Sequence, residues 1–425
     1  MGSITITKTN GNLGRQQPSE DAISALCMNG VAVSGNAALN TVYELNNVSD
    51  AEALGLTEAY DLANKVLVWH RIRNFFLRSP NGKLFIMLVS QATTLTQMAD
   101  KTTANGLAKL LRDPKCAGLV RQAAIARNPA SGYTPTSGAS GLDGDVLTVT
   151  AGPPDTYSGA IIKAQALAEE EETLHRPVMI FVEGRGFNGT TAAAADLHLL
   201  NCPQVAVTIA QDYDVAALDA LFNGYAGVED ALGMAARRAV NESIGWVADG
   251  NLQDMAAGIY VTPALSSHQL LSAYTDVPNG DFDTLEEKAY IFPKLYTQVA
   301  GVYFNSHNTC VALTNDYSNI QNNRTIQKAI RIAYKTLVPD INRTIPVDAT
   351  TGKMTAAICK YFEEKVNIST SDMVKAVECS AVDCFVNPNQ NVISTSKVTV
   401  KVSVTPTGTA EAIDAYIGFV NPFNS

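Results

Sequence analysis

Between residues 83 and 250 the chain switches repeatedly between short apolar runs and longer helical ones. KLFIMLVS (83–90) reads as a strand, and a helix near 94–112 leads on to AGLVRQAAIA (117–126). GAIIKAQALAEEEETLH (159–175) is a helix that runs into PVMIFVEG (177–184). TTAAAADLHLL, VAVTIAQD, VAALDALF and EDALGMAARRAV continue the pattern. Alternation of this kind predicts a largely parallel sheet covered by helices. Residues 130–157, rich in Gly, Ser, Thr, Pro and Asp, read as a surface excursion.

The flanks differ in character. Ile4 and Ile6 alternate with Thr5 and Thr7, then pass into the polar lead NGNLGRQQPSED. Residues 21–80 read as a small α+β unit, with helices at SDAEALGL and VWHRIRNFFLR. After about 250, EKAYIFPKLYTQVAGVYFN looks like strands about a turn, and KMTAAICKYFEEKV (353–366) is a helix. KVTVKVSVT (397–405) alternates strictly, with Val398, Val400, Val402 and Val404 on one face. AIDAYIGFV (412–420) alternates again through Ile413, Ala415, Ile417 and Phe419. Two alternating runs about the loop PTGTAE predict a hairpin.

Composition removes several function classes. A net charge of −10 argues against a nucleic-acid binder in bulk. No run of 18 apolar residues is present, so no membrane span is expected. The start MGSITITKTNGNLG lacks the basic and apolar regions of a signal peptide. Seven scattered cysteines read as reduced, buried thiols, and the five histidines form no metal spacing. No cofactor is expected. Only 17% of the residues are charged, against about 25% in ordinary soluble domains, which weakens electrostatic defence against association.

The sharpest enzyme-like motif is Gly184, Gly186 and Gly189 between a strand and a helix, with Asp212 ending the following strand. On paper this is a dinucleotide fingerprint. Arg185 and Phe187 are bulky for such a loop, and glycines at a strand-to-helix turn are needed for the bend alone. The four acids at 169–172 cover a full helical turn and cannot converge on one point; they read as a solvated helix end. The acids of DGDVLT (143–148) read as a turn.

NNRTIQKAIRIAYKTL (321–336) poses a different question. Arg324, Lys328, Arg331 and Lys335 fall on one stripe of a helix, at spacings of 4, 3 and 4 residues. Ile326, Ile330, Ala333 and Leu337 take the opposite face, and Pro339 limits the helix. No acid lies within the stripe to offset its mutual repulsion. Either the stripe is a solvated face, or an acidic partner surface meets it.

The stretch from EKAYIFPKLYTQ to INRTI carries a resemblance. Its GVYFN strand (301–305), the NDYSNI entry to the basic helix (315–320) and TGKMT (351–355) resemble contractile-tail sheath proteins of myophages and phage-like injection systems. SDAEALGL (49–56) is similar to an early element of that family, and the double C-terminal run resembles sheaths of Bacteroidetes phages. The resemblance implies an α/β and α+β multidomain protein: an N-terminal β arm (1–20), a small α+β domain (21–80), an inserted outer α/β domain (81–250), an inner α+β domain facing a tube (251–396) and a C-terminal β arm (397–425). It implies a non-enzymatic protomer of a helical array, partnered by other sheath subunits, a tail tube protein, and baseplate and terminator proteins. It implies neither nucleic acid nor membrane insertion. The setting would be a virion tail, or a bacterial cytoplasm holding an assembled injection system. Arg324, Lys328, Arg331 and Lys335 would contact the tube. Ile4, Ile6, the four valines 398–404, Ile413, Ile417 and Phe419 would link subunits through their arms. A nucleotide-dependent enzyme built on the 184–189 loop is the alternative, and a capsid or surface-layer protein is a third reading.

Overall fold

The structure is a computed structural model that describes residues 19–136, 139–188, 194–271 and 280–419. Ile4 and Ile6, the first members of the expected N-terminal arm, lie outside the described residues.

The strands are β1 (Ile23–Asn29), β2 (Val42–Leu45), β3 (Lys83–Val89), β4 (Gln122–Ala126), β5 (Met179–Glu183), β6 (Val205–Thr208), β7 (Ala210–Asp212), β8 (Pro263–Leu265), β9 (Gln269–Leu270), β10 (Tyr290–Ile291), β11 (Pro293–Tyr296), β12 (Val299–Phe304), β13 (Ala381–Phe385) and β14 (Lys401–Thr405). Seven of them form one sheet in the order β10-β6-β5-β4-β1-β3-β2. Every neighbour pair is parallel except β2 with β3. The parallel sheet expected from the alternation is therefore present, but it reaches further along the chain. β1 and β2 come from 21–80 and β10 from beyond 250, so the sheet runs across both expected boundaries.

Both faces of this sheet are covered, which is why its strands read as unbroken apolar runs. Cys27, Phe85, Met87, Ile180 and Val182 face one core, together with Ile161, Ala164 and Leu167 of the helix Ala160–Thr173. Their neighbours Leu26, Met28, Leu84, Ile86 and Phe181 face the other. There they meet Ile72 and Phe75 of the helix Val68–Arg78, and Ala231, Leu232 and Ala235 of the helix Val228–Arg237. The period of two thus splits each strand between two cores. Each large side chain so buried contributes roughly 1.5–3 kcal/mol. The helix Val68–Arg78 is started by Asp61, whose carboxylate accepts from the backbone N–H of Val68, Trp69 and His70.

Several expectations are corrected. The helix near 94–112 is two short ones, Leu95–Ala99 and Leu107–Leu111. They part at Gly106, where a Cβ would lie 2.7 Å from the Met98 carbonyl oxygen. Of TTAAAADLHLL, the described residues form only a 3-10 turn, Leu197–Leu200. The acids 169–172 are not a solvated end. Glu171 is buried, paired to Arg112 and Arg176, while Glu170 pairs with Lys101 and Arg112. The acids of 143–148 do lie in a turn as expected, with Val146 N–H donating to the Asp143 carbonyl; within it Asp145 accepts from Leu95 and Thr96 N–H and pairs with Arg127, and Asp143 accepts from the Tyr133 hydroxyl.

Among the described residues the expected C-terminal hairpin does not form. β14 pairs antiparallel with β13, and residues 406–419 contain no strand. All seven cysteines are free and buried.

Candidate assembly interface

The basic helix, Ile320–Leu337, begins where the Asn319 side chain accepts from Asn322 N–H and ends at the 3-10 turn Val338–Asp340. Its polar stripe turns inward. Gln321, Arg324, Thr325 and Gln327 are buried, whereas Ile326, Ile330 and Ala333 of the supposed core face are only partly buried. The stripe lies against the chain segments that enter and leave the sheet. Arg324 donates to the carbonyls of Arg238 and Ala239 at 3.2 and 3.1 Å. Lys328 Nζ lies 2.6 Å from Asp21 Oδ2 and 2.6 Å from Glu378 Oε1. Arg331 Nη2 reaches Asp21 Oδ1 at 2.9 Å. Lys335, with a side chain 76% exposed, stands 3.8 Å from Glu20. Tyr334 stacks on His175 at 4.1 Å between ring centroids.

The acids missing from the stripe are thus supplied by distant parts of the same chain. Three of the four cations are engaged internally, so their spacing does not call for an outside acidic surface. Burial pulls the Arg324 and Arg331 guanidiniums down, to about 10 and about 9, and both stay charged at neutral pH. Burial alone would raise the Asp21 carboxyl, but Lys328, Arg331 and Arg324 outweigh it and hold it below the ordinary range. Asp21 belongs to the turn Glu20–Ala22, from which residues 1–18 depart. The basic stripe fixes the root of the N-terminal segment.

The C-terminal segment is rooted on the same helix. Val398 and Val400 pack with Met354, Cys359 and Phe362, and Val404 packs beside Ala329, Met373 and Cys379. The valine face expected to bind neighbours is therefore partly covered by the chain's own helices, Ile320–Leu337 and Ala356–Lys375. Beyond β14, Thr407 accepts from Asn241, Thr409 from Gln321, and Glu411 from His307 Nε2 at 3.0 Å. Burial lowers the His307 pKa against the pull of Glu411, which favours the neutral ring. Its Nδ1 then accepts from the Ser243 hydroxyl at 2.7 Å. After Glu411 the chain leaves the body. Ile413, Tyr416, Ile417 and Phe419 are each at least 84% exposed. Four large apolar side chains within seven residues are thus left uncovered by the rest of the described chain.

Asp21, Glu378, Gln321, His307 and Glu411 escaped the reading of the sequence. The one available signal was the position of Glu20 and Asp21 at the exit of a polar lead.

The crevice at the carboxyl ends of parallel strands, where ligands of open α/β sheets sit, is filled by side chains. Arg71 is fully buried and pairs with Glu183 at 2.6 Å and Glu229 at 2.7 Å. Glu183 also accepts from Arg127 and Ala226 N–H. Arg185 is buried over the Tyr133 ring and donates to the Leu221 carbonyl. Phe187 packs edge-on against Tyr290. A Cβ on Gly184 would meet the Thr208 carbonyl oxygen at 2.6 Å, and Gly186 has φ +65. Close packing and a left-handed turn account for both glycines. Gly189 lies outside the described residues. Among the described residues, no helix is long and apolar enough to cross a membrane.

Comparison with known proteins agrees with this architecture. Residues 1–308 match the profile described as DUF2586, N-terminal domain, and residues 316–424 match DUF2586, C-terminal domain. No curated protein matches the chain. Among solved structures, a chain of the anti-feeding prophage baseplate superposes with a TM-score of 0.57 at 11% identity, covering 99% of this chain and 100% of that one. The helical sheath of the same particle in its contracted state gives 0.55 at 12% identity, covering 98% of each chain. The contracted sheath complex of the extracellular contractile injection system PVC gives 0.53 at 12% identity, covering 98% and 97%. The chain belongs to the DUF2586 family, and its fold is that of sheath subunits of contractile injection systems.

Proposed function

We propose that the chain is a structural protomer of a contractile sheath, assembled helically around a tube, whose contraction drives the tube through a target envelope. The observation that carries this reading is a sheath fold over nearly the whole chain that ends in an exposed apolar segment on a fixed root. Residues 412–419 of one protomer add to the β13–β14 pair of a neighbour, with backbone hydrogen bonds supplying the link. Residues 1–18 serve the opposite connection. This divides the protein into a sheet unit up to about 308 and a smaller unit from about 316 that receives and donates arms.

Tube contact narrows from the four-residue stripe to its exposed end at Lys335, since Lys328 and Arg331 hold the arm root and Arg324 is buried against the Arg238 and Ala239 carbonyls. Baseplate and terminator proteins would meet the two ends of such an array, in a virion tail or in an injection system assembled in a bacterial cytoplasm. Links of this kind let subunits re-pack while staying joined.

Negative-stain microscopy of the purified full-length protein tests the reading. Rods or hollow tubes with helical striation support it. Discrete particles under every assembly condition, or flat lattices, would overturn it.

A further inference from the structure

We infer that Lys328 is a positioning residue that couples the root of the N-terminal arm to the strand pair β13–β14. Its ammonium bridges two carboxylates from opposite ends of the chain, Asp21 and Glu378, each at 2.6 Å. Both carboxylate side chains are nearly withdrawn from water, at 14% and 12% exposure. Arg331 pairs with Asp21 and the buried Arg324 feels both carboxylates only through its charge, so among the described residues Lys328 is the cation in direct contact with both.

Glu378 stands in the turn that carries the helix Ala356–Lys375 into β13. Its N–H donates to the Met373 carbonyl, and the preceding Val377 takes a left-handed φ of +59. The Val377 carbonyl accepts from Asn241, whose amide also reaches Thr407 at the exit of β14. Ser380 N–H then donates to the Thr405 carbonyl, where the two strands meet. Cys379 is packed beneath with Ala329, Met373 and Val404. The place of Glu378 therefore sets the entry to β13 and the exit of β14 together.

Removing the ammonium leaves Glu378 without its ion-pair partner beside Asp21, which keeps Arg331, and the repulsion between the two little-exposed carboxylates acts on both segments at once. Conversely, a displacement of the arm root moves Asp21, then Lys328, then the strand pair. Resting on the arm exchange proposed above, this gives each protomer an internal link between the arm it donates and the strands that accept a neighbour's arm. A change at one junction is then passed to the next.

The test is hydrogen exchange followed by mass spectrometry on dispersed full-length protein. Asp21→Asn cuts only the arm side, and Glu378→Gln only the strand side. Coupling requires each to act across the bridge: Asp21→Asn speeds exchange at 378–385 roughly threefold, and Glu378→Gln does the same at 20–24. Lys328→Met speeds both, and Lys328→Arg restores both. If each neutral variant alters only its own segment, Lys328 serves two independent pairs and the inference is overturned. Should Lys328→Met fail to fold, the two neutral variants still decide. The measurement needs no assembly, so failure to form tubes sinks the sheath reading and leaves the coupling standing on its own result.

Discussion

Gly184 and Asp21 show how single positions are constrained by neighbours far along the chain. Gly184→Ala would drive a Cβ to 2.6 Å from the Thr208 carbonyl. Overpacking of this kind costs roughly 1–3 kcal/mol, so thermal unfolding should shift down by several degrees. Calorimetry with NAD or ATP should show no binding to the wild type; saturable micromolar binding lost in Gly184→Ala would restore a nucleotide role for the loop. Asp21 gives a pH signature. Its folded carboxyl titrates below the ordinary 3.8, so between those two values the unfolded chain binds more protons. The stabilisation is present above 3.8 and is lost as pH falls through the depressed folded value. Protection at 20–24, measured against the intrinsic exchange rate at each pH, should hold down to about pH 4 and fall below it. Asp21→Asn should be poorly protected throughout; an unchanged acid step in that variant would remove Asp21 as its source.

At the level of elements, the helix Ile320–Leu337 behaves as an anchor whose polar face is its inner face. Arg331→Glu places a carboxylate against Asp21 in a largely enclosed site. Breaking a buried pair costs about 3–5 kcal/mol, and this partly exposed one should fall at or below the lower end. Lys335→Glu, at the exposed end, should change stability by less than about 0.5 kcal/mol. Denaturant titrations of the two variants provide the comparison, and equal stability would return the whole stripe to solvent. The helix itself was legible from its spacing. Its orientation was not, because Asp21 and Glu378 are close only once the chain has folded. The parallel sheet was legible because strands buried on both faces need continuous apolar runs, whatever their order. Strand partners were not, since alternation at Val398–Val404 specifies a half-covered strand without naming β13, itself alternating, as its neighbour. The GxGxxG spacing alone left a nucleotide loop open as the alternative, because a close packing site and a phosphate cradle both require glycine.

For the whole molecule, body and arm should separate cleanly. Residues 412–419 bury almost no surface, so truncation after Glu411 should leave the melting temperature within about 2 °C of the full chain. Sedimentation and microscopy should show the truncated protein dispersed where the full chain forms tubes. Normal tubes would remove the C-terminal segment from the linkage. His307→Phe, by contrast, keeps the apolar segment and loosens the last contact of its root, since the bond to Glu411 is lost while Thr407 and Thr409 stay held. It should shorten the tubes without abolishing them, and limited proteolysis near 407–411 should quicken.

The buried thiols give this molecule its own timekeepers. A thiolate is the reactive form of cysteine, and burial pushes the Cys27 and Cys202 thiols up to about 12. An alkylating reagent therefore reaches each sulfur only when its surroundings open. Cys27, Cys116, Cys202 and Cys310 keep time for one face of the large sheet, Cys359 for the packing beneath the C-terminal valines, and Cys379 for the seam under Lys328. The order in which they are alkylated is the order in which the protomer comes apart, read without adding any probe to the chain.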